Sequence, residues 1–154
     1  VRSGKRDTGA VADVYIKATR GGLMPKFGTA SLRRLSECDD RIQLVLNEVV
    51  KVFDCAVLTG YRDEETQNEL FRTGRSHVQW PDSKHNQSPS LAVDVVPYPI
   101  DWTDRERFNY FAGYVMGVAD QHGIILRWGG DWNRDWKVRD NNFDDLPHYE
   151  LIES

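Results

Sequence analysis

Cysteine is scarce in this sequence: Cys38 and Cys55 are the only two among 154 residues. Without C-x-x-C spacing they encode neither a zinc knuckle nor a dithiol redox motif, and buried free thiols are expected rather than a disulfide framework. Long apolar runs are also missing. No stretch approaches the roughly 18 to 20 apolar residues that cross a bilayer, and the first residues lack a basic segment followed by an apolar one, so neither membrane insertion nor a signal peptide is expected. Positive charge is thin where nucleic acid would need it. Residues 1–36 hold eight Lys/Arg against two acids, whereas the remainder holds twelve against twenty-two. Such an acidic body repels phosphates, whose binding needs a basic face. The basic first segment could meet an anionic cell-wall polymer or membrane surface, but solvated tail charge is the simpler reading.

What is present fits one ordinary globular domain, with 40% hydrophobic and 29% charged residues. Residues 1–23 are Gly-rich, basic and weakly periodic and read as a tail or N-terminal extension, leaving 24–154 as a single domain, expected to be a monomer. A stripe of Ile42, Val45, Leu46, Val49, Val50 and Phe53 predicts a helix over 39–53 with Asp39 as N-cap. Cys38 falls in this helical region and Cys55 in the strand CAVLT (55–59). Asp63 is placed to cap a helix carrying Gln67, Leu70 and Phe71 that stops at Gly74. Residues 75–90 read as a long loop of the kind that often carries function. The strand LAVDVV follows, then Thr103-Asp104-Arg105-Glu106 as a capping box for a helix striped by Phe108, Phe111, Ala112, Val115, Met116 and Ala119 and closed by Gly123. IILRW (124–128), a Gly-Gly turn, a polar and aromatic loop and the strand HYELI (148–152) complete the chain. Helices and short strands without a βαβ rhythm predict an α+β fold with a small, mostly antiparallel sheet.

One residue breaks the apolar logic of LAVDVV. Asp94 shares its strand face with Ala92 and Val96, and an ionised carboxylate buried there must be paired, protonated or bound to a metal. An ion pair or an edge position is the ordinary solution for an isolated acid. Here His85 lies in the loop feeding the strand and His148 opens the last strand. Two His and one Asp form a three-ligand set, which on tetrahedral zinc leaves a fourth position for water, the pattern of catalytic sites. Zinc can lower a water's pKa from about 15.7 to about 7 and polarise a carbonyl, making amide hydrolysis feasible. Asp145, three residues before His148, is a candidate general acid/base, with Asp144 its neighbouring competitor. Glu150 shares a strand face with His148 and could orient it. His77 could line a cleft, His122 suits a helix C-terminus, and among the five tryptophans Trp132 is the candidate for a sugar-stacking platform.

These residues resemble a known family. SKHNQSPSLAVD is similar to an S-x-H…G-x-A-x-D signature, DLPH to (D/E)-x-x-H, GYRDEETQNELFRTGRS to G-Y-R-x-x-x-x-Q, and LRWGGDW to a stretch before the final ligand in phage members, all of the zinc D-Ala-D-Ala carboxypeptidase and L-alanyl-D-glutamate endopeptidase family, which includes many bacteriophage endolysins. The blocks run from about Phe27 to Ile152. The resemblance implies a hedgehog/D-Ala-D-Ala-peptidase-like fold, Zn2+ on His85, Asp94 and His148, Asp145 as catalytic acid/base, Arg62 as oxyanion stabiliser, and Ser83 and Gln67 on the substrate side or in support. The implied partner is the peptidoglycan stem peptide, cut at L-Ala–D-Glu by an enzyme made in the cytoplasm of a phage-infected bacterium and acting on the cell wall. A D-Ala-D-Ala carboxypeptidase is the alternative within the family, and a non-catalytic cell-wall-binding module the alternative outside it. Two departures stand out: the step from His85 to Asp94 is nine rather than the usual seven, and Ser90 occupies the expected glycine position. A Pro-containing loop can absorb the two extra residues.

Overall fold

The computed structural model describes residues 24–152; the proposed tail, 1–23, lies outside them. In chain order the elements are α1 (Thr29–Leu35), α2 (Asp40–Val50), β1 (Cys55–Thr59), α3 (Glu64–Arg72), a 3-10 turn (Lys84–Asn86), β2 (Ala92–Pro97), α4 (Arg105–Gln121), β3 (Leu126–Trp128) and β4 (His148–Leu151). The strands form one antiparallel sheet in the order β1-β2-β4-β3, as the α+β reading predicts. No helix among the described residues is long and apolar enough to cross a membrane.

Strand alternation gives this sheet two different faces. Val57, Val93, Val95, Leu126, Trp128, Tyr149 and Leu151 join Ile42, Val45, Leu46 and Val49 of α2 and Phe111, Ala112, Val115 and Ala119 of α4 in one buried core. The α4 stripe is 3.6-periodic, and Phe111 meets Phe53 and Tyr149 edge-on, with ring centroids 5.0 and 6.3 Å away. The opposite face carries polar groups at paired positions: Asp94 opposite His148, and Ala92 and Arg127 on either side of Glu150. That division places the chemistry on a rigid sheet, away from the helices.

Local signals explain most boundaries. Asp39 caps α2 by accepting from the Arg41 N–H, and Asp63 caps α3 by accepting from Thr66 N–H. Gly74 and Gly123 follow α3 and α4 with φ of +73° and +67°, the left-handed conformation that glycine adopts without a Cβ penalty. Two expectations need correction, and two features go beyond them. The α4 cap is Asp104, which accepts from Arg107 N–H, because the Thr103 hydroxyl is turned back to Asp101. Cys38 is outside any helix and makes an isolated bridge with Ser90. On α3 the buried side chain is Gln67, while Phe71 is exposed. Finally, α1 has no counterpart in the periodic pattern, since it buries only Ser31 and Leu35 and its Gly28 N-cap offers no side-chain bond. It forms because β1 has an open edge: Ser31 Oγ accepts from Val57 N–H and Arg34 donates to Val57 C=O, covering an edge that would otherwise invite another strand.

Both cysteines are buried and unpaired, as expected, and burial pushes each thiol up to about 12. Alkylation with iodoacetamide is therefore predicted to modify neither in the native protein and both after denaturation. Phe111→Ala is predicted to lower unfolding free energy by about 3 to 5 kcal/mol in denaturant titration, since its ring is fully buried at the sheet–helix seam.

Candidate active site

On the polar face of the sheet, three acceptor atoms converge. His85 Nε2, Asp94 Oδ1 and His148 Nδ1 are separated by 3.2, 3.3 and 3.4 Å. His85 arrives from the 3-10 turn, where Ser83 Oγ accepts from His85 N–H and Ser83 and Asn86 close a reciprocal cap. Asp94 and His148 are directly opposite on β2 and β4. The three residues first grouped from the sequence thus meet in space, despite the nine-residue step. The extra length is taken up by Gln87, Ser88 and Pro89, which are exposed. Ser90 is fully buried in the glycine position, and its hydroxyl bonds the Gly60 and Ala92 carbonyls.

The hydrogen bonds behind the imidazoles determine what faces inward. His85 Nδ1 lies 2.7 Å from the Gly60 carbonyl, which can only accept, and His148 Nε2 lies 2.8 Å from Glu150 Oε2. Each outer nitrogen therefore carries a proton, so each inner nitrogen offers a lone pair whenever its ring is neutral. Two lone pairs and a carboxylate oxygen at this spacing repel unless a cation lies among them. Tetrahedral zinc with bonds of about 2.0 to 2.1 Å separates its ligand atoms by about 3.3 Å, so the donor set and its spacing both fit a divalent metal. These three residues are a group that could hold a metal ion.

Electrostatics reinforce the cluster. Burial works against charge on Asp94, but the His85 and His148 imidazoles outweigh it and hold the carboxyl well below the usual range. Burial likewise disfavours charge on His148, yet hydrogen bonds to Asp94 and Glu150 raise it to about 9. Glu150, buried but bonded to His148 and Arg127, is held down at about 2. A proton and a metal would compete for the same His148 lone pair.

The remaining candidates surround this centre. Arg62 Nη2 is 3.4 Å from Asp94 Oδ2, and its Nη1 donates to Gln67 Oε1 at 3.0 Å. Gln67 is fully buried; its amide donates to Ser76 Oγ and the Val78 carbonyl. It braces Arg62 and the loop, which makes it a supporting residue. Asp144 is engaged by Arg105 and Asn141, so it does not compete with Asp145. The Asp145 carboxylate has no hydrogen bond or ion pair among the described residues, and burial together with the Asp94 charge raises its pKa. An open cleft of about 360 Å³ is lined by Arg62, Ser83, His85, Trp132, Asp145 and His148, with His77 also on its wall. Trp132 leans over His148, ring centroids 5.5 Å apart, while its indole N–H donates to Phe143 C=O.

Some functional residues escape sequence reasoning. Arg127 donates to Glu150 Oε1 at 3.0 Å and lies over the Trp132 ring; only strand pairing reveals it. Asn86 donates to Arg62 C=O and to Gln67, and its Ser83-x-x-Asn86 spacing is a capping signal. Gly129 has a reason in space: a Cβ there would lie 2.1 Å from the Asp145 carbonyl oxygen, and Asp145 N–H donates to Gly129 C=O at 2.7 Å. The Gly-Gly turn is what lets the Asp145 backbone approach the sheet.

Two outcomes follow from this geometry. Glu150→Gln weakens the grip on the His148 ring and is predicted to lower zinc affinity about 10- to 100-fold, measured by competition with a chromophoric chelator. Gly129→Ala is predicted to push Asp145 off its position and to lower any hydrolytic turnover the site supports, while leaving divalent-metal stoichiometry unchanged.

Known proteins resemble this chain over nearly all of its described length. Residues 23–152 match the family of phage L-alanyl-D-glutamate peptidases. The L-alanyl-D-glutamate peptidase of Escherichia phage T5 is 28% identical over 135 residues, spanning 82% of this chain and 98% of the relative. The crystal structure of the Serratia marcescens L-Ala D-Glu endopeptidase ChiX superposes with a TM-score of 0.66 at 28% identity, covering 83% of this chain and 91% of that one. The chain therefore belongs to the phage L-alanyl-D-glutamate peptidase family.

Proposed function

We propose that the protein is a zinc-dependent peptidoglycan peptidase of the endolysin type, which hydrolyses the L-Ala–D-Glu amide bond of the stem peptide. The observation that carries this reading is the convergence of His85, Asp94 and His148 at 3.2 to 3.4 Å in a cleft that also holds an unpaired Asp145. Both relatives described above are named for the L-Ala–D-Glu bond, which favours it over a terminal D-Ala–D-Ala bond. Family membership favours an enzyme over a non-catalytic wall-binding module.

Zinc held by His85, Asp94 and His148 would supply Lewis acidity, polarising the scissile carbonyl and acidifying water near neutral pH. The residues of the chain carry the remaining steps. Asp145 accepts the proton of the attacking water and passes it to the departing nitrogen, a task suited to a carboxyl whose pKa lies above its ordinary value. Arg62, fixed by Gln67, presents positive charge where the carbonyl oxygen becomes an oxyanion. Ser83 holds the His85 turn. Trp132, on the cleft wall, offers a flat apolar surface to the substrate, peptide or sugar. The enzyme would be made in the cytoplasm of an infected bacterium and would act on its wall.

Asp145→Asn is predicted to lower turnover of purified peptidoglycan at least 100-fold while zinc content and thermal unfolding stay at wild-type values; undiminished lysis would remove Asp145 from the mechanism. Chelation is predicted to abolish cleavage, with zinc restoring it. Mass spectrometry of the digest should show new D-Glu amino termini, whereas loss of single D-Ala residues would point to the carboxypeptidase alternative.

A further inference from the structure

The cleft holds more positive charge than the proposed mechanism uses. Four cations line it: Arg62, Arg75, Lys84 and Arg127. Arg62 is committed to Asp94 and Gln67, and Arg127 to Glu150. Lys84 has neither an ion pair nor a side-chain hydrogen bond among the described residues, although it is half-buried and stands between Ser83 and the metal-facing His85. Its position is fixed, because its carbonyl accepts from Leu91 N–H at 3.1 Å and the Ser83–Asn86 cap closes the turn. Among the described residues the Arg75 guanidinium bonds only the Thr73 hydroxyl, through Nε; the nearby Glu69 is already held by Arg72. Asp82, also lining the cleft, forms no ion pair among the described residues either, so apart from the groups used in the mechanism the lining carries two cations against one acid.

The substrate has the complementary charge. A glutamate inside a peptide spends one carboxyl on the amide to the next residue and keeps the other free. In an L-Ala–D-Glu substrate that free carboxylate belongs to the residue supplying the leaving nitrogen, only a few bonds from the scissile carbonyl. We infer that Lys84 and Arg75 form an anion subsite that binds the free carboxylate of the substrate's D-glutamate. The inference rests on the L-Ala–D-Glu reading above. Charge-assisted hydrogen bonds are roughly twice as strong as neutral ones, so the subsite distinguishes glutamate from its side-carboxamide form, in which the same position is uncharged. It also orients the leaving nitrogen by holding the residue attached to it.

The test uses two synthetic stem peptides that differ only in whether that glutamate carboxyl is free or a carboxamide. Wild-type enzyme is expected to favour the acid by at least tenfold in kcat/KM. In the Lys84→Met/Arg75→Gln double variant the ratio is expected to collapse to within threefold, mainly through a raised KM for the acid. Lys84→Arg should preserve the preference, and zinc content should match wild type in every variant. Equal cleavage of the two peptides by wild type, a preference that survives in the double variant, or a loss of the same size on both peptides would overturn the subsite. A wild-type enzyme that cleaves neither peptide overturns the L-Ala–D-Glu reading itself, and the subsite with it.

Discussion

The fold is organised around one electrostatic constraint: a largely buried carboxylate on the second strand must be neutralised. Asp94 retains only 15% of its side-chain exposure, and a charge so placed is costly unless matched. Here the match comes from three directions, with His85 and His148 at Oδ1 and Arg62 at Oδ2. The inner imidazole nitrogens face that carboxylate at hydrogen-bond distance and, when neutral, join it as a group that could hold a metal ion. A strand position that looks wrong for a hydrophobic core is the position that completes a group able to hold a metal ion.

The rest of the structure holds that geometry. The apolar face of the sheet is clamped by α2 and α4, so β2 and β4 cannot shift against each other without opening the core. Strand pairing sets Asp94 against His148, while the outer bonds to Gly60 and Glu150 set the ring orientations. Loops supply the other wall: the 75–90 segment is tied down by Gln67, Asn86 and Ser90, each buried and bonded at several points. Candidate ligands on strands and a short capped turn, with the other cleft-lining groups on loops, follow the usual division between precision and adaptability.

Sequence reading grouped His85, Asp94 and His148 because their chemistry is local in meaning, even though they are distant along the chain. An acid inside a valine run and two histidines at strand entrances are visible without a structure. The helices α2, α3 and α4 were legible for a similar reason, since caps at Asp39 and Asp63 and the Phe108–Ala119 stripe announce themselves. What escaped depends on pairing between strands. Arg127 matters only because β3 lies beside β4, and α1 exists only because β1 has an open edge for Ser31 and Arg34 to cover. The choice between Asp144 and Asp145 also needed space, since Arg105, 39 residues away, occupies one and leaves the other.

Whether His85, Asp94 and His148 together hold a divalent metal decides the central claim. Zinc K-edge X-ray absorption of the protein loaded with one equivalent of zinc reads this directly. The prediction is a shell of nitrogen and oxygen at about 2.0 to 2.1 Å with the multiple scattering of two imidazoles and no sulfur, lost when Asp94 and His148 are both replaced by alanine. A sulfur shell at about 2.3 Å, or a spectrum unchanged by that double replacement, would contradict it.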